Sequence, residues 1–588
     1  MNTYALDYES YYDKDCSIRK LGPLGYFSHP DFDAYLMSVV GDDGFKWVGD
    51  PKDFDWDILK GTLVLSHNAS FDETLYLYGV DQGWWPKVEY GAWDCTADLA
   101  AYCGLPRSLK GATGELFDLS VDKSTRDNMA GKCWGSMTKE FKAEVCEYAL
   151  KDSELCLRLW ESLHKKWPRR ERYISRKGRL IVQRGVPIDV ELLKEQKECV
   201  SQLLFESENK IPWIDEAPPL SRTAFNKECR RLGIDPPASL ALSNDEANAW
   251  INKHGKEYAW IASVRDYRRI NALKRKIESF DYATLSDDRF YGGLMYHGAH
   301  TGRWSGSGGN LNLQNLPRGD LFGTNLRNLI APKKGKKLIV ADLSQIEVRT
   351  LCWLAEDKKA LETIRDSADI YEGFAVHFRK WDSASSISTL KKENPNLRHM
   401  VKQMVLGCGY GASAAKFASM TGMPAWQARL AVMIYRKHMR KVVWFWNKLN
   451  RCVHMAYSLQ EDLVLDLPSG RSLNYGRITT ALQKGKKNYM AEITKGSKKI
   501  PVRLWGALLA ENLSQALARD IFADMMLRLE QNGFKIIFHV HDEFVIEVDE
   551  EEAEESLKNV VESMSHAPDW IPDIPLAAEG KILDRYEK

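Results

Sequence analysis

The sequence has no pair of cysteines at the spacing of a zinc ribbon or a redox motif. Its eleven cysteines are scattered, so neither a zinc site nor a disulfide framework is suggested. A reducing cytoplasm is the simplest setting for them. No apolar run is long enough to span a bilayer, so no membrane partner is expected. The first residues, Met1-Asn2-Thr3-Tyr4-Ala5-Leu6-Asp7, lack a basic segment followed by an apolar core, and no secretory leader is expected. A dominant charge is missing as well: 82 Lys and Arg face 81 Asp and Glu, for a net charge of +1. That balance neither demands nor excludes nucleic acid, which only a clustered basic surface would indicate. What the chain does have is length. Its 588 residues exceed what one hydrophobic core organises, so two or more domains are expected.

The most informative stretch is Leu338 to Arg349. An apolar, partly β-branched run follows the turn-like Lys333-Lys334-Gly335-Lys336-Lys337 and ends in Asp342, which reads as a buried strand. Ser344 and Glu347 have the spacing of a capping box, so a helix is expected to start at Ser344. Near the other end, Phe538 to Ile546 reads as two strands around His541-Asp542-Glu543, a hairpin with carboxylates at its tip. Between them, Arg398, Lys402, Leu406 and Tyr410 recur every fourth residue, the spacing of one helical face. Asn394-Pro395 supplies an N-cap and a first-turn proline, and such a helix start favours phosphate. Gly407, Gly409 and Gly411 would each weaken a plain helix by roughly 1 kcal/mol, which suggests a helix end approached closely by a partner. These three stretches, in this order, resemble motifs A, B and C of the family A DNA polymerases.

The first 165 residues carry a second pattern. Thr3 to Glu9 reads as a strand with Asp7 and Glu9 on one side. Leu63 to His67 reads as another, leading through Asn68 to Asp72 into a helix. Tyr148 and Asp152 share a face of a later helix. Together, DxE, NxxFD and YxxxD resemble the motifs of the DnaQ-like 3′–5′ exonucleases. Hydrolysing a phosphodiester by the two-metal route needs paired hard cations about 3.5–4 Å apart, and oxygen ligands suit them. Asp7, Glu9, Asp72 and Asp152 are the expected ligands, and the resemblance makes Tyr148 the group that orients water.

The resemblance implies an α/β multidomain protein: an RNase H-like exonuclease domain at 1–165, linker and thumb at 166–300, palm with motif A at 301–360, fingers with motif B at 361–440, and palm with motif C at 441–588. Arg169 to Arg179 is strongly basic and reads as the link. Arg265 to Lys276 reads as a basic thumb helix holding duplex phosphates without sequence preference. Primer–template DNA and dNTPs are the implied partners; a helicase or processivity factor is left unassigned. Two Mg²⁺ per site are implied, with Mn²⁺ an alternative that oxygen-only ligands also allow.

By resemblance, the polymerase metal positions are Asp342, Leu343, Asp542 and Glu543. Arg398 and Lys402 bind the triphosphate, and Lys402 protonates the leaving pyrophosphate. Leu406, Tyr410, Glu347 and Tyr371 complete the nucleotide pocket, with Glu347 closing the space of a ribose 2′-hydroxyl. Arg303 and Gln314, in TGRWS and NLQNLP, contact DNA together with Gln515, His541 and Gly411. Three departures stand out. Leu343 and Leu406 replace aromatics, and Tyr371 stands where many bacterial members place a phosphate-binding His. Lys484 to Lys487 and Lys495 to Lys499 read as a basic loop, either a DNA contact or a solvated tip. The chain is too short for a further 5′-nuclease domain, so the expectation is a proofreading, phage-type replicative DNA polymerase. A nuclease with a DNA-binding remnant or a non-catalytic scaffold would tolerate loss of Asp342 and Asp542, which are present. A single-subunit RNA polymerase fits neither Glu347 nor the exonuclease motifs.

Overall fold

Strand β1 (Thr3–Glu9) is buried along nearly its whole length, as a strand covered on both faces must be. The computed structural model describes residues 2–119, 124–241, 244–284, 287–307, 311–381, 389–483, 485–496 and 498–587. In it, β1 sits at the centre of a five-stranded sheet with β2 (Leu36–Gly41), β3 (Lys46–Gly49), β4 (Leu63–Ser66) and β5 (Ala92–Cys95), in the order β3-β2-β1-β4-β5. β2 runs antiparallel to β1, while β4 and β5 run parallel to it. Helices α1 (Ala69–Asp81) and α2 (Lys139–Leu163) pack on this sheet.

Helix α3 (Arg169–Arg184) is the basic stretch, and its charge is consumed internally. On one side Arg172 and Arg176 both bond the fully buried Asp94, at 2.8 and 2.7 Å, and Arg179 bonds Glu73 at 2.7 Å. On the other, Arg170 meets Asp524 at 2.8 Å and Arg184 meets Glu530 at 2.7 Å. Glu171 pairs at 2.7 Å with Arg519, whose side chain is fully buried. The helix therefore joins the N-terminal sheet unit to the rest of the chain through buried ion pairs.

After three shorter helices, the longer part carries helix α4 (Ala259–Ala283), the basic stretch from Arg265 to Lys276. Some of its cations are tied locally: Arg265 bonds Asn248 at 2.6 Å, and Lys274 lies 3.8 Å from Glu278. Next come β6 (Lys336–Leu343), α5 (Ile346–Leu354), α6 (Ile370–His377), α7 (Pro395–Gln403), α8 (Ala425–His438) and α9 (Arg440–Leu459). A three-stranded meander follows, β7 (Thr479–Gln483), β8 (Lys486–Lys495) and β9 (Lys498–Leu504), then α10 (Gly506–Gln531). The chain closes with β10 (Ile536–Val540), β11 (Glu543–Asp549) and β12 (Ala578–Leu583), which join β6 in a sheet of order β10-β11-β6-β12. α10 is buried over most of its circumference, as a helix apolar all round must be. Its Phe522 stacks on Phe544 of β11 with ring centres 3.9 Å apart.

Two sequence expectations fail here. The lysine-rich segments are not one loop but the two turns of the meander. Ile493 pairs with Ile500 across β8 and β9, and Gly485 and Gly496 take positive φ at the turns, as two-residue hairpin turns require. Lys484 lies outside the described residues. The second turn docks on the N-terminal unit, with Thr494 Oγ1 donating to Gly104 O at 2.6 Å and Lys499 to Glu115 at 2.6 Å. The capping box is also absent. Ser344 N–H still bonds Ala577 O at 2.9 Å in continuation of the sheet, so the chain cannot turn there. It turns at Gln345, which takes φ 48° and precedes α5. Among the described residues, no helix is long and apolar enough to cross a membrane.

Candidate active sites

The first site lies at one end of the β10-β11-β6-β12 sheet. Register sets Asp342 directly opposite Glu543 on the neighbouring strand, and Leu343 N–H donates to Asp542 O at 2.9 Å. Asp342, Leu343, Asp542 and Glu543 are thus brought together across two strands. The turn between β10 and β11 is tight, with His541 at φ 51°, and it carries Asp542 to the tip. Glu543 is buried and accepts a 2.6 Å hydrogen bond from Tyr586 Oη. Burial, then Glu543, pushes the Tyr586 phenol up.

Glu347, freed from any capping role, faces this end of the sheet from the first turn of α5. It forms an ion pair with Arg303 and accepts from Tyr410 Oη at 3.4 Å. Burial, then Glu347, raises the Tyr410 phenol well above its usual range. One carboxylate therefore ties together residues from three distant stretches.

Helix α7 starts as its sequence implies, with Asn394 accepting from Leu397 N at 3.0 Å and Pro395 in the first turn. Arg398 pairs with Asp369. The buried Tyr371 lies beneath both cations, its ring centre 5.2 Å from the Arg398 guanidinium and 5.9 Å from Lys402 Nζ. The fourfold stripe does not run on as one face. Met404–Cys408 forms a π turn, which adds a residue to the repeat. Leu406 is left on the surface, 36% exposed, and Tyr410 comes round to Glu347. Gly411 has φ 78°, and a Cβ there would lie 2.6 Å from Ala507 Cβ, so α10 as well as any ligand restricts that position.

Gln314 is buried in a short turn, and its amide Nε2 has no partner among the described residues. Gln515 on α10 donates to Glu511 at 3.3 Å.

The second site is a cleft of about 390 Å³ in the N-terminal unit, lined by Asp7, Glu9, Asp72, Tyr148 and Asp152. β1 supplies the first two side by side; α1 and α2 supply the rest. Tyr8 N–H donates to Asp72 Oδ1 at 3.3 Å. Burial, then Glu9, Asp72 and Asp152, pushes the Asp7 carboxyl well above the usual carboxylate range. Burial, then Asp152, takes Glu9 up to about 8, and burial takes Asp72 to about 8. Tyr148 is raised by burial and then by Asp152. Arg126, from the short helix Ser124–Met129, lines the same cleft and opposes the rise at Asp7 and Glu9. Among the described residues, no three acidic, His or Cys side chains close into a ready metal-holding group at either site. The donor chemistry nevertheless fits hard divalent cations: carboxylate oxygens only, crowded enough to oppose their own ionisation.

Residues 243–588 match the model of DNA polymerase family A. The chain belongs to that family. The DNA polymerase of Bacillus phage SP02 is 26% identical, with all of both chains covered. The thermostable DNA polymerase I of Thermus filiformis is 26% identical over 75% of this chain and 51% of its own length. DNA polymerase I of Bacillus subtilis is 26% identical over 67% and 42%. The chain thus spans the phage relative fully and about half of these bacterial enzymes. In fold it is similar to the POL domain of Pol1 from M. smegmatis in complex with DNA primer-template and dNTP. The TM-score is 0.70 at 18% identity, covering 100% of this chain and 95% of that one.

Sequence reasoning missed Arg126 in the N-terminal cleft, and Tyr586 and the Asp369–Arg398 pair at the first site. Asp369 had the best available signal, lying two residues before Tyr371. Nothing near Arg126 or Tyr586 marks either as part of a site.

Proposed function

We propose that this family A DNA polymerase adds dNTPs to a primer 3′ end at the first site and removes 3′ nucleotides at the second. The observation that carries the first half is the strand register that sets Asp342, Asp542 and Glu543 at one sheet end, beside the Glu347–Arg303–Tyr410 cluster. Asp342 and Asp542 would hold two divalent cations, with Glu543 and the Leu343 position beside them. Such cations, when bound, neutralise triphosphate charge and favour the ionised primer hydroxyl.

The chain's own residues do the positioning. Arg398 and Lys402 bind the triphosphate from one turn of α7, and Tyr371 holds both cations in place. Lys402 gives its proton to the leaving pyrophosphate. Glu347, braced by Arg303 and Tyr410, closes the space beneath the sugar, and Leu406 and Tyr410 border the base. Gln314 offers its unpaired amide to DNA, joined by Arg303, Gln515, His541 and Gly411. In the N-terminal cleft, Asp7, Glu9, Asp72 and Asp152 would hold the second cation pair, and Tyr148 orients the attacking water. Replication of a phage genome, in a bacterial cytoplasm and alongside other replication proteins, is the setting that the full-length phage relative supports.

The test is a labelled primer–template incubated with Mg²⁺, with and without the four dNTPs. Extension with dNTPs and shortening without them is expected. Shortening alone would refute the polymerase assignment, and extension without any shortening would refute the second site.

A further inference from the structure

Between Glu393 and Glu461 the chain has no acidic residue, against ten Lys and Arg. The segment covers α7, α8 and α9. Two of the ten cations, Arg398 and Lys402, belong to the site above. Of the others, Arg440, Lys441, Lys448 and Arg451 are exposed on α9 and make no ion pair among the described residues. Their spacing, with Trp444 among them, places them along one side of a 20-residue helix that is about 30 Å long. Trp444 is 50% exposed, with Lys448 Nζ 5.7 Å from its ring centre. A second bare indole, Trp426 in the first turn of α8, is 66% exposed. At the far end of α9, Tyr457 Oη lies 3.4 Å from Lys487 Nζ, which brings the meander's lysines up to the same helix.

A solvated helix face normally mixes both charge signs and does not hold out bare indoles. Uncompensated cations interleaved with exposed aromatic planes suit a polyanion whose bases are unpaired. The phosphates take the cations, and the bases stack on the rings. A duplex would leave the rings unused, because its bases already stack on one another. We infer that the outer face of α9 is a track for single-stranded nucleic acid, occupied by the unpaired template ahead of the primer end. The inference rests on the polymerase reading above.

The polymerase is titrated with fluorescent primer–templates carrying a 5′ overhang of about 2 or about 20 nucleotides, at several salt concentrations. The long overhang is expected to bind more tightly and with a steeper salt dependence. Arg440→Ala/Lys448→Ala/Arg451→Ala should abolish that advantage and lower the salt slope by about 2, the value for three single-strand phosphate contacts. Trp444→Ala should reduce the long-overhang affinity roughly tenfold, and Trp444→Phe should restore most of it. Affinity for the short overhang reports the integrity of each variant. Equal binding of the two overhangs, or an advantage unchanged in the triple variant, overturns the inference. So does loss of binding to a Glu-rich peptide in the triple variant while the overhang advantage persists, since the face would then serve a protein partner. Extension of the short-overhang substrate by the unmodified protein reports the polymerase reading separately, so the two failures are distinguishable.

Discussion

At the scale of single residues, Tyr371 explains how a departure from the family pattern can be tolerated. An imidazole there could donate to a phosphate, whereas the buried phenol supports Arg398 and Lys402 through its ring face. Cation–π contacts of this kind are worth roughly 0.5–1 kcal/mol each. Tyr371→Leu should therefore raise the KM for dNTP by about 5- to 30-fold, while Tyr371→Phe leaves it near the original value. Steady-state kinetics on one primer–template separates the two outcomes, and equal effects would mean that the hydroxyl matters instead. Glu347 teaches the complementary point. Its spacing from Ser344 fits a capping box, yet the structure uses the carboxylate to join Arg303 to Tyr410. Local spacing could not register that Ser344 was still committed to the sheet.

Helix α3 decides the argument at the scale of elements. Its basic sequence reads as a link, and the ion pairs to Asp94, Glu73, Asp524 and Glu530 through which it joins the units span long sequence separations that no local pattern reveals. Glu171 is the helix's only acidic residue and is itself buried. Burial alone would raise its carboxyl, but Arg519 and Arg471 hold it down to about 2. Removing one partner of a buried pair costs about 3–5 kcal/mol, so Glu171→Gln should lower stability by that order in denaturant unfolding. A folded-state value below the unfolded one means that this stability is present above about pH 4 and lost as pH falls toward 2. The π turn after α7 is likewise invisible to a fourfold repeat, although the run of glycines marked the place.

Across the whole molecule, the order of strands and helices around both sites was legible, because alternation and helical spacing encode it directly. Asp342, the hairpin at Asp542 and the β1 pair Asp7 and Glu9 all sit where their patterns place them. Contacts between units, such as the meander's second turn on Gly104 and Glu115, were not legible, since they depend on tertiary packing alone. The carboxyls of the N-terminal cleft respond to pH in the opposite sense to Glu171. The Asp7 carboxyl is raised well above the usual range and those of Glu9 and Asp72 to about 8, so the contribution of Glu9 and Asp72 is fully present below about pH 4 and is lost as pH rises through about 8, with Asp7 shifted in the same direction. Without divalent ions, Asp7→Asn/Glu9→Gln should raise the melting temperature at about pH 8.5 and change it little at about pH 4. Mg²⁺ should stabilise the unmodified protein and not the variant. Calorimetry at the two pH values checks both statements, and equal Mg²⁺ stabilisation of the two proteins would count against cation binding in the cleft.

The central claim is that two separate carboxylate sites build and remove the same strand. Its most direct test compares the unmodified protein with Asp342→Ala and Asp7→Ala on one labelled primer–template with Mg²⁺, with and without dNTPs. Asp342→Ala should still shorten the primer but never extend it, and Asp7→Ala should extend it without shortening it. Extension by the Asp342 variant, or shortening by the Asp7 variant, would contradict the account.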